Sequence, residues 1–267
     1  MLLFNKKCSN CQSYYDPTLN ECPKCHKANE LAQNRDVSND IVFFHPFAQI
    51  GLFLGGFSYV GMLLCQLICS LFFGGISDVG LKNALIILFC YLLMLGGLLS
   101  ISLFTRRQTF IKKFTHPSSY LYGLAYAGMM VLAALLIGVI VSIFYFAEEN
   151  TNQNAAVDIV NNYPILAFFV IVIIGPICEE MTYRVGLYSF LRRINVFLAF
   201  AITSIVFALI HFDFEASNMA NELSSLPTYL ACGFLLSLAY ERHGPACSIT
   251  AHMLYNLTAF LVMVMNK

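Results

Sequence analysis

Of the 267 residues, 58% are hydrophobic and only 11% are charged, where a soluble domain usually carries about a quarter charged residues. Such a chain is expected to be an integral membrane protein. Fifteen Lys and Arg balance fifteen Asp and Glu, so no overall basic field exists to hold a polyanion, and nucleic acid is excluded as a partner.

The polar amino-terminal segment carries Cys8, Cys11, Cys22 and Cys25 as two Cys-x2-Cys pairs. Two intervening residues let both sulfurs of one turn meet a single ion, and two such turns supply the four thiolates of a tetrahedral structural zinc site. The pattern predicts a zinc ribbon over residues 1–27, joined by a linker over residues 28–46. So short a head cannot bury enough apolar surface to fold alone, and metal binding is expected to supply the missing free energy. Two disulfides, disfavoured in a reducing cytosol, and four unrelated thiols are the alternatives. His26 reads as a solvated neighbour of Cys25, and the six remaining cysteines as small hydrophobes in apolar runs. No signal peptide is expected, because the apolar start from Met1 to Phe4 is short and Lys6 follows it.

Seven stretches satisfy the length rule for a spanning helix. They are Phe47 to Phe73, Asn83 to Thr105, Tyr120 to Phe146, Tyr163 to beyond Pro176, Asn195 to His211, Leu226 to Tyr240, and Pro245 to Met265. The expected fold class is therefore all-α, a polytopic transmembrane bundle with a small zinc ribbon. Residues 47–160 form its first group of helices and residues 161–267 its core. Seven spans place Arg106, Arg107, Lys112, Lys113, Arg192, Arg193 and Arg242 on the side of the head, while Asp78, Lys82, Glu148, Glu149, Asp158, Asp213, Glu215 and Glu222 fall on the other. By the positive-inside rule the amino terminus is expected in the cytosol and the chain in the cell membrane.

Glu179, Glu180 and Arg184 interrupt the fourth apolar stretch. Each costs about 2.5–3.5 kcal/mol to insert at a bilayer's centre, so a functional reason is the default expectation. Arg184 follows Glu180 by one helical turn and is expected to pair with it. Glu179, rotated by about 100°, has no local partner and becomes the candidate for chemistry. Downstream, Phe207 and His211 are four apart, as are His252 and Asn256. Counting about 1.5 Å per residue lets all these groups reach a common depth. Ion or proton transport is one use of such groups, a non-catalytic scaffold another, and hydrolysis a third.

The three motifs, Glu179-Glu180-x3-Arg184, Phe207-x3-His211 and His252-x3-Asn256, resemble in that order those of the CAAX protease and bacteriocin-processing (CPBP, or Abi) intramembrane proteases. The resemblance runs from about Tyr163 to Met265 and leaves the zinc ribbon outside. It implies an endopeptidase acting on a membrane-tethered peptide or protein within the lipid bilayer. It further implies that Glu179 and His211 activate water and that His252 and Asn256 stabilise the oxyanion, with Glu180 and Arg184 in support. An imidazole and an amide one turn apart can supply two donors to a developing oxyanion. One Glu and two His could also hold a catalytic zinc, but a metal-free glutamate mechanism is favoured. The ribbon is then expected to recruit a protein partner.

Overall fold

In the computed structural model, residues 6–15, 21–28, 42–56, 59–73, 75–145 and 150–266 are described. Most of the expected linker, Asp16, Pro17, Arg35, Glu148, Glu149 and Lys267 lie outside them.

The head is built from two matching turns. Cys8 O accepts from Gln12 N at 3.0 Å and Cys22 O from His26 N at 2.8 Å, and each turn closes with its cysteine N–H donating to Ser13 O or Lys27 O. Gln12 and His26 occupy the same place in the two turns, each in the left-handed region at φ 59° and 54°. The short antiparallel pair β1 (Lys6–Lys7) and β2 (Tyr14–Tyr15) aligns Lys6 with Tyr15 and flanks the first turn. Glu21 bridges to Ala28 across the second.

The membrane body follows as nine helical elements among the described residues: α1 (Pro46–Gly55), α2 (Tyr59–Phe73), α3 (Val79–Lys112), α4 (Pro117–Phe144), α5 (Thr151–Asn162), α6 (Pro164–Arg192), α7 (Val196–Ile210), α8 (Met219–His243) and α9 (Pro245–Met265). Five of them, α3, α4, α6, α8 and α9, are long and apolar enough to cross a membrane. The stretch expected as a single first span is instead two helices, α1 and α2, and the fifth expected span is the 15-residue α7. Hydropathy registers a continuous apolar run and is blind to a break inside it, which is why the seven-span reading merged α1 with α2.

Local chemistry sets the helix ends. Pro occupies the first turn of α1, α4, α6 and α9, where its missing N–H leaves no intrahelical bond unmade. Asp78 Oδ1 accepts Leu81 N at the start of α3, and Asn195 caps Phe197 N and Leu198 N at the start of α7. A single residue, Gly244 at φ 79°, turns α8 into α9, a backbone conformation that a side chain would strain.

Helix α6 is the hub. It is buried over 61% of its apolar stretch, against 11–33% for the other four long helices. It contains two π-helical segments, Phe168–Ile174 and Met181–Tyr188, on either side of Gly175–Glu180. Helix α1 packs against the second so closely that a Cβ on Gly186 would stand 2.9 Å from Phe53 N. Large apolar side chains such as Phe104, Leu121, Ile143, Phe144 and Phe197 point outward, as lipid demands and water forbids.

The bundle separates its charges. At one end Arg192 pairs with Glu241, Arg193 donates to Gln49 and to Phe44 O, and Ser119 reaches His243 O. At the other, Glu222 binds Thr151 N and Asp213 N, and Tyr145 binds Asn221. Basic and acidic loops thus gather at opposite ends.

Candidate active site

The four cysteines of the head converge. Cys8 Sγ lies 3.6 Å from Cys25 Sγ and Cys11 Sγ 3.6 Å from Cys22 Sγ, and all four sulfurs fall within 4.8 Å of one another. The cysteines are free thiols. A tetrahedron with metal–sulfur bonds of about 2.3 Å has edges of roughly 3.8 Å, so the spacing suits one ion. The Ser13 hydroxyl, bonded to Cys22 Sγ, lowers that thiol to about 6, which favours the metal-binding thiolate. His26 points away to Glu21 Oε1 at 3.0 Å, largely exposed. These four cysteines can hold a metal ion.

A second constellation lies inside the membrane body. Glu179 and Glu180 sit at the end of the α-helical turn between the two π segments of α6, both buried. Arg184, wholly buried one turn on, donates from Nη1 to Glu180 Oε1 at 3.0 Å and from Nη2 to Gly233 O at 3.0 Å. The predicted pair forms. The same Glu180 oxygen also binds His252 Nδ1 at 3.0 Å, a link between α6 and α9 that no sequence spacing announced.

Each imidazole is pinned through Nδ1, His252 by Glu180 and His211 by Phe207 O at 2.8 Å. An acceptor at Nδ1 fixes the tautomer and leaves Nε2 free to face the site. Both Nε2 atoms stand 3.9 Å from one atom, Glu179 Oε2, which is buried and has no hydrogen-bond partner among the described residues. At 3.9 Å the contact is too long for a direct hydrogen bond and is the span that a bridging water closes. Sequence motifs from α6, α7 and α9 therefore meet at one carboxylate oxygen.

Phe207 explains its own place in the motif. Its carbonyl holds His211, and its ring lies 4.6 Å beneath the Arg184 guanidinium and 5.8 Å from His252. Asn256 is engaged differently from its neighbours: its Nδ2 donates to Ile171 O at 2.9 Å, in the first π segment. One amide N–H thereby docks α9 on α6, and an amide nitrogen carries two. Tyr229 of α8 stacks on His211 at 4.7 Å and 20°. Nothing in the periodicity of α8 distinguished this tyrosine.

Residues 161–258 match the type II CAAX prenyl endopeptidase Rce1-like family. The matched segment is just over a third of the chain, and it is this segment that is similar to the family. All six residues of the intramembrane constellation lie within the Rce1-like segment, and the cysteine head lies outside it. The chain is 27% identical over 161 residues to the membrane-embedded CAAX protease MroQ of Staphylococcus aureus, covering 56% of this chain and 61% of that one. It is 30% identical over 116 residues to YdiL of Bacillus subtilis, 43% of each, and 22% identical over 182 residues to the UPF0177 protein YvdC of Lactococcus lactis, 66% of each. The match to the first two of these relatives spans less than two thirds of their length. No solved structure matches the chain.

Proposed function

We propose that the protein is an intramembrane endopeptidase hydrolysing a peptide bond in a membrane-tethered peptide or protein. The observation that carries this reading is the single buried carboxylate oxygen, Glu179 Oε2, faced at 3.9 Å by the Nε2 atoms of His211 and His252. Glu179 and His211 hold and deprotonate a water, whose oxygen bonds to the scissile carbonyl carbon. His252, backed by Glu180, and the second amide N–H of Asn256 are the groups assigned to the oxyanion. The C–N bond then breaks, and the proton taken from water goes to the leaving amine.

The reading takes the metal-free form, with Glu179 as the base; one Glu and two His are also a donor set that could hold a catalytic zinc with an open position. In the head the four thiolates suit structural zinc, by their number and spacing. The same reading puts the basic end of the bundle and the head in the cytosol, in the cell membrane. It sets His211 toward the far face, since His211 closes α7 beside the acidic loops.

Comparative proteomics of membranes carrying the wild-type protein or Glu179→Ala tests the activity. A polypeptide that accumulates uncut only with the variant supports it; identical cleavage patterns at comparable protein levels defeat it.

A further inference from the structure

His211 forms the carboxyl-terminal cap of α7, at φ −96° and ψ 3°, so the chain turns away directly after it. A residue at a helix end lacks the following turn that would hold its ring. Here the ring, bonded within α7 to Phe207 O, is also held from outside the helix. Tyr229 lies flat on the imidazole at 4.7 Å, and its phenolic oxygen accepts amide N–H groups from Asn150 and Asn152, each at 3.2 Å. Those two asparagines flank the first residue of α5.

Glu222 sits seven residues before Tyr229, two helical turns away on the same face of α8. It is 2% exposed. Its Oε1 accepts Thr151 N at 2.8 Å and its Oε2 accepts Asp213 N at 3.2 Å. One carboxylate thus grips the turn that follows His211 and the same start of α5 that grips Tyr229. A carboxylate so buried is expensive unless its oxygens are bonded, and both of them are bonded to backbone N–H groups that α5 and the His211 turn would otherwise leave unpaired.

We propose that Glu222 and Tyr229 are positioning residues for His211, a clamp that fixes the imidazole with Nε2 toward Glu179. The clamp is read from the ring contacts; its effect on rate rests on the proposed role of His211 in activating water. A reacting group displaced by about an ångström can lose about 100-fold in rate.

The test uses the full-length protein in lipid nanodiscs with ¹⁵N-labelled histidine, His211 being assigned through His211→Gln. The wild type is expected to show one tautomer at His211, protonated at Nδ1 and bare at Nε2. Tyr229→Ala and Glu222→Gln should each average that signal between tautomers while His252 keeps its own. Tyr229→Phe keeps the stacked ring but loses the hydroxyl bonded to Asn150 and Asn152, so it should disturb the His211 signal less than Tyr229→Ala. On a substrate found by the membrane proteomics, the first two variants should lower kcat about 10- to 100-fold with KM within about twofold. If Tyr229→Ala fails to accumulate, the isosteric Glu222→Gln carries the test. An unchanged His211 signal in Glu222→Gln and in any folded Tyr229→Ala overturns the clamp, and a changed signal with unchanged kcat overturns its positioning role. The expected changes in a protein that cleaves nothing would uphold the clamp and overturn the proposed function instead.

Discussion

Arg184→Ala removes the cation that faces Glu180 in a region with no solvent access. In the folded protein the guanidinium bonds Glu180 Oε1 and Gly233 O at 3.0 Å each and covers the Phe207 ring at 4.6 Å. Breaking a buried pair from one side typically costs about 3–5 kcal/mol, because the remaining charge is left uncompensated. At about 1.4 kcal/mol per factor of ten, the folded population should fall by roughly two to three and a half orders of magnitude relative to the unfolded one. Glu180→Gln should act similarly by stranding Arg184. Equilibrium unfolding of purified protein in mixed micelles of rising dodecyl sulfate content reads the difference directly. The double variant Glu180→Met/Arg184→Leu removes both charges and should recover much of the stability. It should not recover cleavage, because His252 Nδ1 has lost its acceptor. Single variants that unfold within about 1 kcal/mol of the wild type would refute the argument that this pair holds the bundle together.

Glu179→Gln keeps the size of the side chain and removes the base, so it should leave unfolding unchanged and abolish cleavage; wild-type turnover by this variant would show that the site is misassigned. Asn256→Ala should lower kcat by about 10²- to 10³-fold if its second N–H reaches the oxyanion, whereas a loss confined to stability would mark Asn256 as only the tie to Ile171 O. Elemental analysis should find one zinc per chain, released in Cys22→Ser, and protein purified free of zinc would contradict the ribbon. A chelator that empties the head should leave cleavage in place under the metal-free mechanism, and cleavage that stops and returns with added zinc in a Cys22→Ser background would point to metal in the membrane site.

The parts of the site that repeat along one helix were legible in the sequence. Glu180 and Arg184 announce themselves by a four-residue spacing, and the four cysteines by two identical short loops. What escaped was set by contacts between helices. The bond from Glu180 to His252 joins residues 72 apart, and Tyr229 meets His211 only because α8 packs on α7. The π segments were hidden for another reason: an extra residue per turn changes which side chains share a face without changing hydropathy. Asn256 shows the consequence, since its position one turn after His252 was legible but its partner, Ile171 O in a π segment, was not. The break between α1 and α2 escaped because apolar residues continue on both sides of it.

The short helices also matter to the lipid around them. Helix α7, with 15 residues, is about 22 Å long at 1.5 Å per residue, and α1, with 10 residues, about 15 Å, whereas the hydrocarbon layer is about 30 Å thick. A bilayer beside such a helix thins or admits headgroups, at a cost of fractions of a kcal/mol per ångström of mismatch. A membrane around this bundle is expected to be compressed next to the helix that ends in His211, which would make acyl-chain length a variable in the energetics of this protein. Long-chain lipids should strain the α7 flank and short-chain lipids relax it, so the membrane's own thickness is part of the environment in which that imidazole is held.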